Sequence, residues 1–140
     1  MTEELDPNLN HPAYLCGRLL ALYDGLQYQA QGDVNANVSD RYYSLASTYP
    51  ALAFPKLSDL GLKHLRKLRR DKPGAAVNIE KEIQEIHTRL AASGAKFPPP
   101  LSLENQGRFA IGYHHQRAES MARAMTKKHE RQQNASREEN

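Results

Sequence analysis

Apolar residues recur along most of the chain at intervals of three and four, the spacing that places side chains on one face of an α-helix. The first such stripe comprises Leu15, Leu19, Leu22 and Leu26. It predicts a helix that follows an Asn10 cap, tolerates Pro12 in its first turn, and ends near Gly32.

The most regular stripe lies in the fourth predicted helix, which follows a turn over residues 71–74. This stripe comprises Ala76, Ile79, Ile83, Ile86 and Leu90. The outer face of the helix alternates in charge, and Glu85 stands four residues before Arg89, a spacing that supports a modest ion pair. We interpret this outer face as solvated.

Start and stop signals predict a second and a third helix between these two. Ser39 is a suitable cap for the second helix, which ends before Pro50 because proline disfavours helical geometry in the residue that precedes it. The third helix begins at Pro50, with Thr48 or Tyr49 as its cap. Pro55 either kinks this third helix or starts it afresh.

A final helix is predicted to follow the stiff Pro98–Pro100 connector, with Ser102 as its cap and Glu104 in its first turn. Its packing side is expected to comprise Phe109, Ala110, Tyr113, Ala124 and the methionines. Gly107 and Gly112 lower helix propensity by about 1 kcal/mol each relative to alanine. Their presence predicts that a neighbouring helix approaches closely.

No stretch alternates like a β-strand for more than a few residues. The fold class is therefore predicted to be all-α, a single-domain helical bundle of about five helices. Residues 1–10 are expected to form a flexible lead-in, residues 11–126 the bundle, and residues 127–140 a polar, disordered tail.

Composition agrees with one soluble domain that has a wide polar surface. The chain has 140 residues, and 39% of them are hydrophobic, less than the roughly 45–50% usual for globular domains. The single cysteine, Cys16, excludes an internal disulfide and is expected to be a buried structural thiol. No apolar run reaches the ~18 residues of a membrane span, and the acidic N-terminus does not look like a secretory signal. We expect a cytoplasmic protein.

Charge is concentrated in one segment, residues 54–73. Seven cationic side chains and two aspartates give this segment a net charge of +5, whereas the whole chain carries only +3. At about 100° per residue, Leu57, Gly61 and Leu68 fall on one side of this helix, and most of the cations fall on the other. One side is expected to face a core and the other to face solvent or anions.

Catalytic and metal sites are not indicated. His114 and His115 are adjacent, so on a helix they point about 100° apart and cannot chelate one ion together. The chain has no nucleophile elbow and no glycine-rich phosphate loop. We therefore expect a non-enzyme without a metal or cofactor.

The basic helix is the main functional signal, although such a run is most often a solvated helix face. Arginine favours phosphate because its forked donors match phosphate oxygens. The basic surface would be extended by the last helix, if that helix lies alongside, through Arg108, Arg117, Arg123, Lys127 and Lys128. Tyr42 and Tyr43 offer a possible stacking surface for unpaired bases, the alternative being that they pack in the core.

Four segments resemble the C-terminal part of the large subunit of the type I-C CRISPR interference complex, in one collinear run from about residue 13 to residue 117. They are AYLCGRLLALYD (13–24), DVNANVSDRYYSLASTYPALAFPKL (33–57), HLRKLRRDKPGAAVNIEKEI (64–83) and LSLENQGRFAIGYHHQR (101–117). The long N-terminal part of that subunit, which recognises the protospacer-adjacent motif in the family, has no counterpart here. In the family this C-terminal region is also made separately from an internal start codon, and Met1 looks like the start of that product; an excised fragment would look the same.

The resemblance implies a small subunit of the complex (Cascade) that stabilises the R-loop and holds the displaced non-target DNA strand. It implies the other Cascade subunits as partners, namely the large subunit and the backbone subunits, together with guide RNA and target DNA, and more than one copy per complex. The alternative is a purely structural subunit that bridges protein partners without touching DNA; a free-standing DNA-binding regulator is disfavoured. The residues that match the family's basic positions are His64, Arg66, Lys67, Arg69, Arg70 and Lys72. Together with Lys56, Lys63 and the three arginines of the last helix, they form the predicted nucleic-acid-binding set.

Overall fold

The computed structural model describes residue 6 and residues 9–32, 34–93 and 97–139 of the chain. These residues form five α-helices: α1 (Pro12–Gln31), α2 (Val38–Thr48), α3 (Pro50–Asp71), α4 (Pro73–Ala92) and α5 (Leu103–Glu139). No β-strand occurs within those ranges, which confirms the predicted all-α bundle. Most of the expected lead-in, residues 1–5 and 7–8, lies outside the described residues.

Helix α1 is the centre of the bundle, since it contacts each of the other four helices. All four leucines of its predicted stripe are buried. Cys16 is also fully buried, as expected, and this burial raises the pKa of its thiol to about 12. A thiol that stays protonated and inaccessible contributes packing rather than reactivity.

Helices α1 and α5 approach each other most closely at two glycines. Gly17 of α1 lies against the Phe109 backbone, and Gly112 of α5 lies against the Tyr14 backbone. A Cβ atom at either position would overlap the facing carbonyl oxygen. The close approach predicted from Gly112 is therefore confirmed, whereas Gly107 is exposed and no atom of the described residues lies near its missing Cβ.

Helix α3 continues through Pro55 without a break, so Pro55 does not start a new helix. Only Lys72 separates α3 from α4, and the predicted turn at residues 71–74 is therefore shorter than expected. All five isoleucine, leucine and alanine side chains of the α4 stripe are buried, as predicted.

Two of the predicted helix caps are wrong. His11, rather than Asn10, caps α1 by accepting a hydrogen bond from the Ala13 amide. Asn37, rather than Ser39, caps α2 through a reciprocal pair of bonds with Asp40. Ser39 lies inside α2, where its hydroxyl accepts a hydrogen bond from Tyr113 of α5. The predicted cap of α5 is confirmed, since Ser102 accepts from the Asn105 amide.

Helix α5 differs most from the sequence prediction. It continues through residues 127–139, which were expected to be disordered, and every side chain described from Met121 to Arg137 is exposed. Methionine, alanine, lysine, arginine and glutamine are strong helix formers, so this segment stays helical without a core beneath it. The expectation that Met121, Met125 and Ala124 pack inside the bundle is also wrong.

We expect Gly17→Ala to destabilise the protein, because its methyl group would overlap the Phe109 backbone rather than a movable side chain. Overpacking of this kind costs about 1–3 kcal/mol of unfolding free energy. Urea denaturation monitored by far-ultraviolet circular dichroism measures this change in unfolding free energy.

Gly25→Ala is the matched control, since Gly25 lies in the same helix and, among the residues that the structure describes, no atom lies near its missing Cβ. Alanine at that position should stabilise the protein by roughly 0.5–1 kcal/mol. A Gly17→Ala protein as stable as the Gly25→Ala protein would show that the two backbones do not meet as described.

Candidate nucleic-acid interface

Helix α3 has one buried and one exposed side. Phe54, Leu57 and Leu68 are almost completely buried, while the side chains of Lys56, Lys63, Arg66 and Arg70 are exposed. The residues predicted to face the core are therefore buried, and these four cations lie outside it. The buried side fixes the rotation of the helix, so the cations project away from the core.

Five exposed cations form what we call the α3 basic surface: Lys56, Lys63, Arg66, Arg70 and Lys72. Within the part of the chain described, Lys56, Lys63, Arg66 and Lys72 have no carboxylate partner. The Arg70 guanidinium lies 3.5 Å from the Asp71 carboxylate, and 75% of the Arg70 side chain is exposed. Such an exposed pair contributes about 0–1 kcal/mol and is readily exchanged for another anion. These five cations are therefore available to a ligand.

Two other cations predicted on this helix are occupied within the protein. The Lys67 ammonium donates a hydrogen bond of 2.7 Å to the carbonyl oxygen of Ala30, in the last turn of α1. Arg69 forms an ion pair with Glu80 of α4 at 2.5 Å. Lys67 therefore supports the C-terminus of α1, where a cation is favourable to the helix dipole, and Arg69 joins α3 to α4.

The prediction for His64 needs correction. Only 4% of this residue is exposed, so it cannot reach a phosphate group. Burial and, to a lesser extent, the neighbouring Lys67 lower the pKa of His64 from its ordinary value of 6.5. A buried neutral imidazole belongs to the core rather than to the α3 basic surface.

The arginines of α5 do not extend the α3 basic surface, because α3 and α5 make no contact within the described residues. Arg108 bonds to Glu104 and Asn105 of its own helix. Arg123 forms ion pairs with Glu119 and with Glu82 of α4. Arg117 is exposed and has no such partner in the described part of the chain.

The tyrosine pair is not an open stacking surface. Tyr42 and Tyr43 are both partly buried against the core. The ring of Tyr43 meets Phe109 and Tyr113 edge-on at centroid distances of 5.5 and 5.1 Å. Burial also raises the pKa of Tyr43, which agrees with a packing role.

Polar clusters inside the bundle were not predicted from the sequence. The Tyr23 hydroxyl lies 3.2 Å from both Ser58 Oγ and His87 Nε2. These two hydrogen bonds join α1 to α3 and to α4. Buried Arg18 donates from Nε to Gln116 at 2.9 Å, while its Nη1 has no hydrogen-bond partner among the described residues. These residues are far apart in sequence and have no local signature, so only the fold brings them together.

The described residues give no indication of a metal centre. Within them, no three histidine, cysteine, aspartate or glutamate side chains come together as metal ligands would. His115 instead shares a hydrogen bond of 3.0 Å with the Tyr14 hydroxyl. None of the helices described combines the length and apolarity needed to cross a membrane.

Because the pKa of His64 is lowered in the folded protein, the unfolded chain binds more protons below about pH 6.5. The free energy of unfolding should therefore fall as the pH drops from 7.5 to 5. We expect His64→Gln to remove part of this decrease in the free energy of unfolding. Urea unfolding at both pH values measures it. Another part of the decrease comes from His11, whose pKa is also lowered.

His114→Gln is the control, since it removes a histidine whose side chain is exposed on α5 rather than buried in the core. An identical decrease in the His64→Gln and His114→Gln proteins would show that His64 is not held neutral by the core.

Comparison with known proteins places this helical chain in a family. No curated protein matches the chain. The family model described as CRISPR-associated protein (Cas_Csd1) matches residues 1–121, a range that includes the whole of α1–α4 and the packed part of α5. The chain therefore belongs to the Cas_Csd1 family of CRISPR-associated proteins.

Proposed function

We propose that the chain is a non-catalytic small subunit of a type I-C CRISPR surveillance complex. In this role the α3 basic surface binds the phosphate backbone of the displaced non-target DNA strand. Family membership supports a Cascade-type role. The subunit would act in the cytoplasm beside the large subunit and the backbone subunits, in more than one copy, on the DNA opened by the guide RNA.

The observation that carries this proposal is the cluster of exposed cations on one side of α3. Arg69 and Arg70 alone could be explained by the helix dipole, which favours cations in the last turn. That effect falls off within one turn, whereas Lys63 and Lys56 lie about two and four turns before Asp71. The dipole therefore accounts for the end of the basic surface but not for its length.

A phosphate-binding surface suits this role because the protein does not need to read bases. In such complexes, pairing with the guide RNA supplies sequence discrimination, and opening of the duplex is a nearly balanced exchange. A few phosphate contacts to the displaced strand can therefore shift the equilibrium toward the open duplex. Exposed lysines and arginines provide such contacts without sequence preference.

The second candidate is a purely structural subunit that bridges proteins. It is favoured by the fact that Arg69, Arg108 and Arg123, all predicted to bind DNA, are each paired with glutamate. In this role the α3 basic surface would meet an acidic protein rather than DNA. The two candidates differ in whether DNA affinity depends on α3.

We expect Arg66→Ala with Arg70→Ala to weaken binding of single-stranded DNA by the complex assembled with guide RNA and the partner subunits. Each phosphate of a single strand that the protein no longer neutralises should reduce the slope of log K against log salt by about 0.7, so removal of both arginines should reduce it by about 1.4. Fluorescence anisotropy with a labelled oligonucleotide over a series of salt concentrations measures this slope.

Lys81→Ala with Lys127→Ala is the matched control, because it removes two exposed cations from α4 and α5. It changes the net charge equally and should leave the slope almost unchanged. If both double variants give the same slope, the α3 basic surface does not bind the strand. If the Arg66→Ala, Arg70→Ala subunit is no longer incorporated, as seen by native mass spectrometry, the bridging role is correct.

A further inference from the structure

Helix α5 carries a second apolar stripe on the side that faces away from the bundle. We call it the α5 outer stripe; it comprises Leu103, Ile111, His114, Ala118, Met121 and Met125, all exposed. At about 100° per residue these six positions fall within an arc of about 80°, opposite the side that buries Phe109 and Tyr113. None of the six carries an acidic or permanently cationic side chain.

The large side chains of this stripe are exposed to an unusual degree. Leu103 is 85% exposed, Met121 57% and Met125 71%. From Ile111 to Met125 the spacing is three, four, three and four, the pattern with which one helix packs along another. The stripe extends over about 33 Å, at 1.5 Å per residue, a length that suits a partner helix rather than a small molecule.

The charges beside the stripe indicate what kind of helix fits. Along one flank lie Arg117, Lys128 and Arg131, which have no ion-pair partner within the described residues. Near the other flank, Glu104 is held by Arg108 and Glu119 is held by Arg123. Within the described residues, the cations beside the stripe have no acidic partner, while each of these two carboxylates is paired with an arginine.

We infer that the α5 outer stripe docks an amphipathic helix of a partner protein, with leucine or isoleucine on its apolar side and aspartate or glutamate on the flank that meets Arg117 and Lys128. Apolar burial supplies the affinity, and the free cations select acidic partners. The stripe is distinct from the α3 basic surface, since α3 and α5 make no contact in the described part of the chain.

A second copy of this chain fits the stripe poorly. In an antiparallel pair related by a two-fold axis, the flank with Arg117 and Lys128 would face itself. In a parallel pair it would face the flank where Glu104 and Glu119 already have arginine partners. Neither arrangement offers these cations a carboxylate that is not already paired with an arginine.

The test uses the full chain and a labelled synthetic heptad peptide with leucine at the a and d positions and glutamate at the e and g positions. We expect saturable binding of this peptide and none of the counterpart with lysine at e and g. Met121→Gln with Met125→Gln should weaken binding about tenfold or more, because two apolar side chains no longer become buried. Arg117→Gln with Lys128→Gln should weaken it at low salt and have little effect at high salt.

Lys127→Gln with Glu130→Gln is the matched control, since both residues are exposed on α5 away from the stripe and the net charge is kept. It should bind the acidic peptide as the unchanged protein does. Circular dichroism verifies that all variants remain helical. The Arg66→Ala, Arg70→Ala protein should also bind the peptide normally, so failure of the DNA proposal would leave this test intact.

Three results would overturn the inference. Equal binding of the acidic and the basic peptide, or no binding of either, would exclude an acidic partner helix. Sedimentation equilibrium that shows a dimer abolished by Met121→Gln with Met125→Gln would assign the stripe to a second copy. Loss of single-stranded DNA binding in that same variant, with peptide binding unchanged, would assign the face to nucleic acid.

Discussion

The contact between α1 and α5 at Gly17 and Gly112 determines what the rest of the molecule presents to its surroundings. Because the two backbones nearly touch, α5 can bury only the side that holds Phe109 and Tyr113. Its rotation is therefore fixed, and the side with Ile111, Met121 and Met125 must face outward. The exposed apolar stripe is thus a geometric consequence of the packing that stabilises the bundle.

Helix α4 has a comparable effect on the charges. Its glutamates Glu80 and Glu82 pair with Arg69 of α3 and Arg123 of α5. These pairs are partly exposed, so each contributes little to stability. Their larger consequence is that they occupy two arginines, so Arg69 and Arg123 do not join the exposed cations of α3 or those on the outer side of α5.

Local patterns were sufficient to predict much of the fold. The leucine stripe of α1 and the isoleucine stripe of α4 are buried as predicted, because a helix with one apolar face has only one way to remove that face from water. The amphipathic division of α3 follows from the same argument. The caps of α1 and α2 were missed because several neighbouring residues can cap a helix, and the choice depends on tertiary partners such as Tyr113, which holds Ser39.

The candidate site could be predicted only in part, because a charge pattern says nothing about which helices become neighbours. The pattern correctly identified Lys56, Lys63 and Arg66 as an exposed group. It could not reveal that Arg69 would meet Glu80 across a helix boundary, or that Lys67 would bond to the end of α1. His64 was included through its match to the family's basic positions, although its place on the apolar side of α3 already indicated burial.

The α3 basic surface and the α5 outer stripe are suited to binding two different kinds of partner. Contacts between exposed cations and phosphates are individually weak in water and are screened by salt. In the proposed role, a surface of five such cations would gain effective affinity once the protein is held next to a DNA strand, because a tethered contact is governed by a local concentration rather than by the bulk concentration. A separate apolar face on α5 can supply that tether without competing for the cations of α3. The two proposals are therefore physically compatible, since a partner protein would bind on one side of the bundle and a phosphate backbone on another.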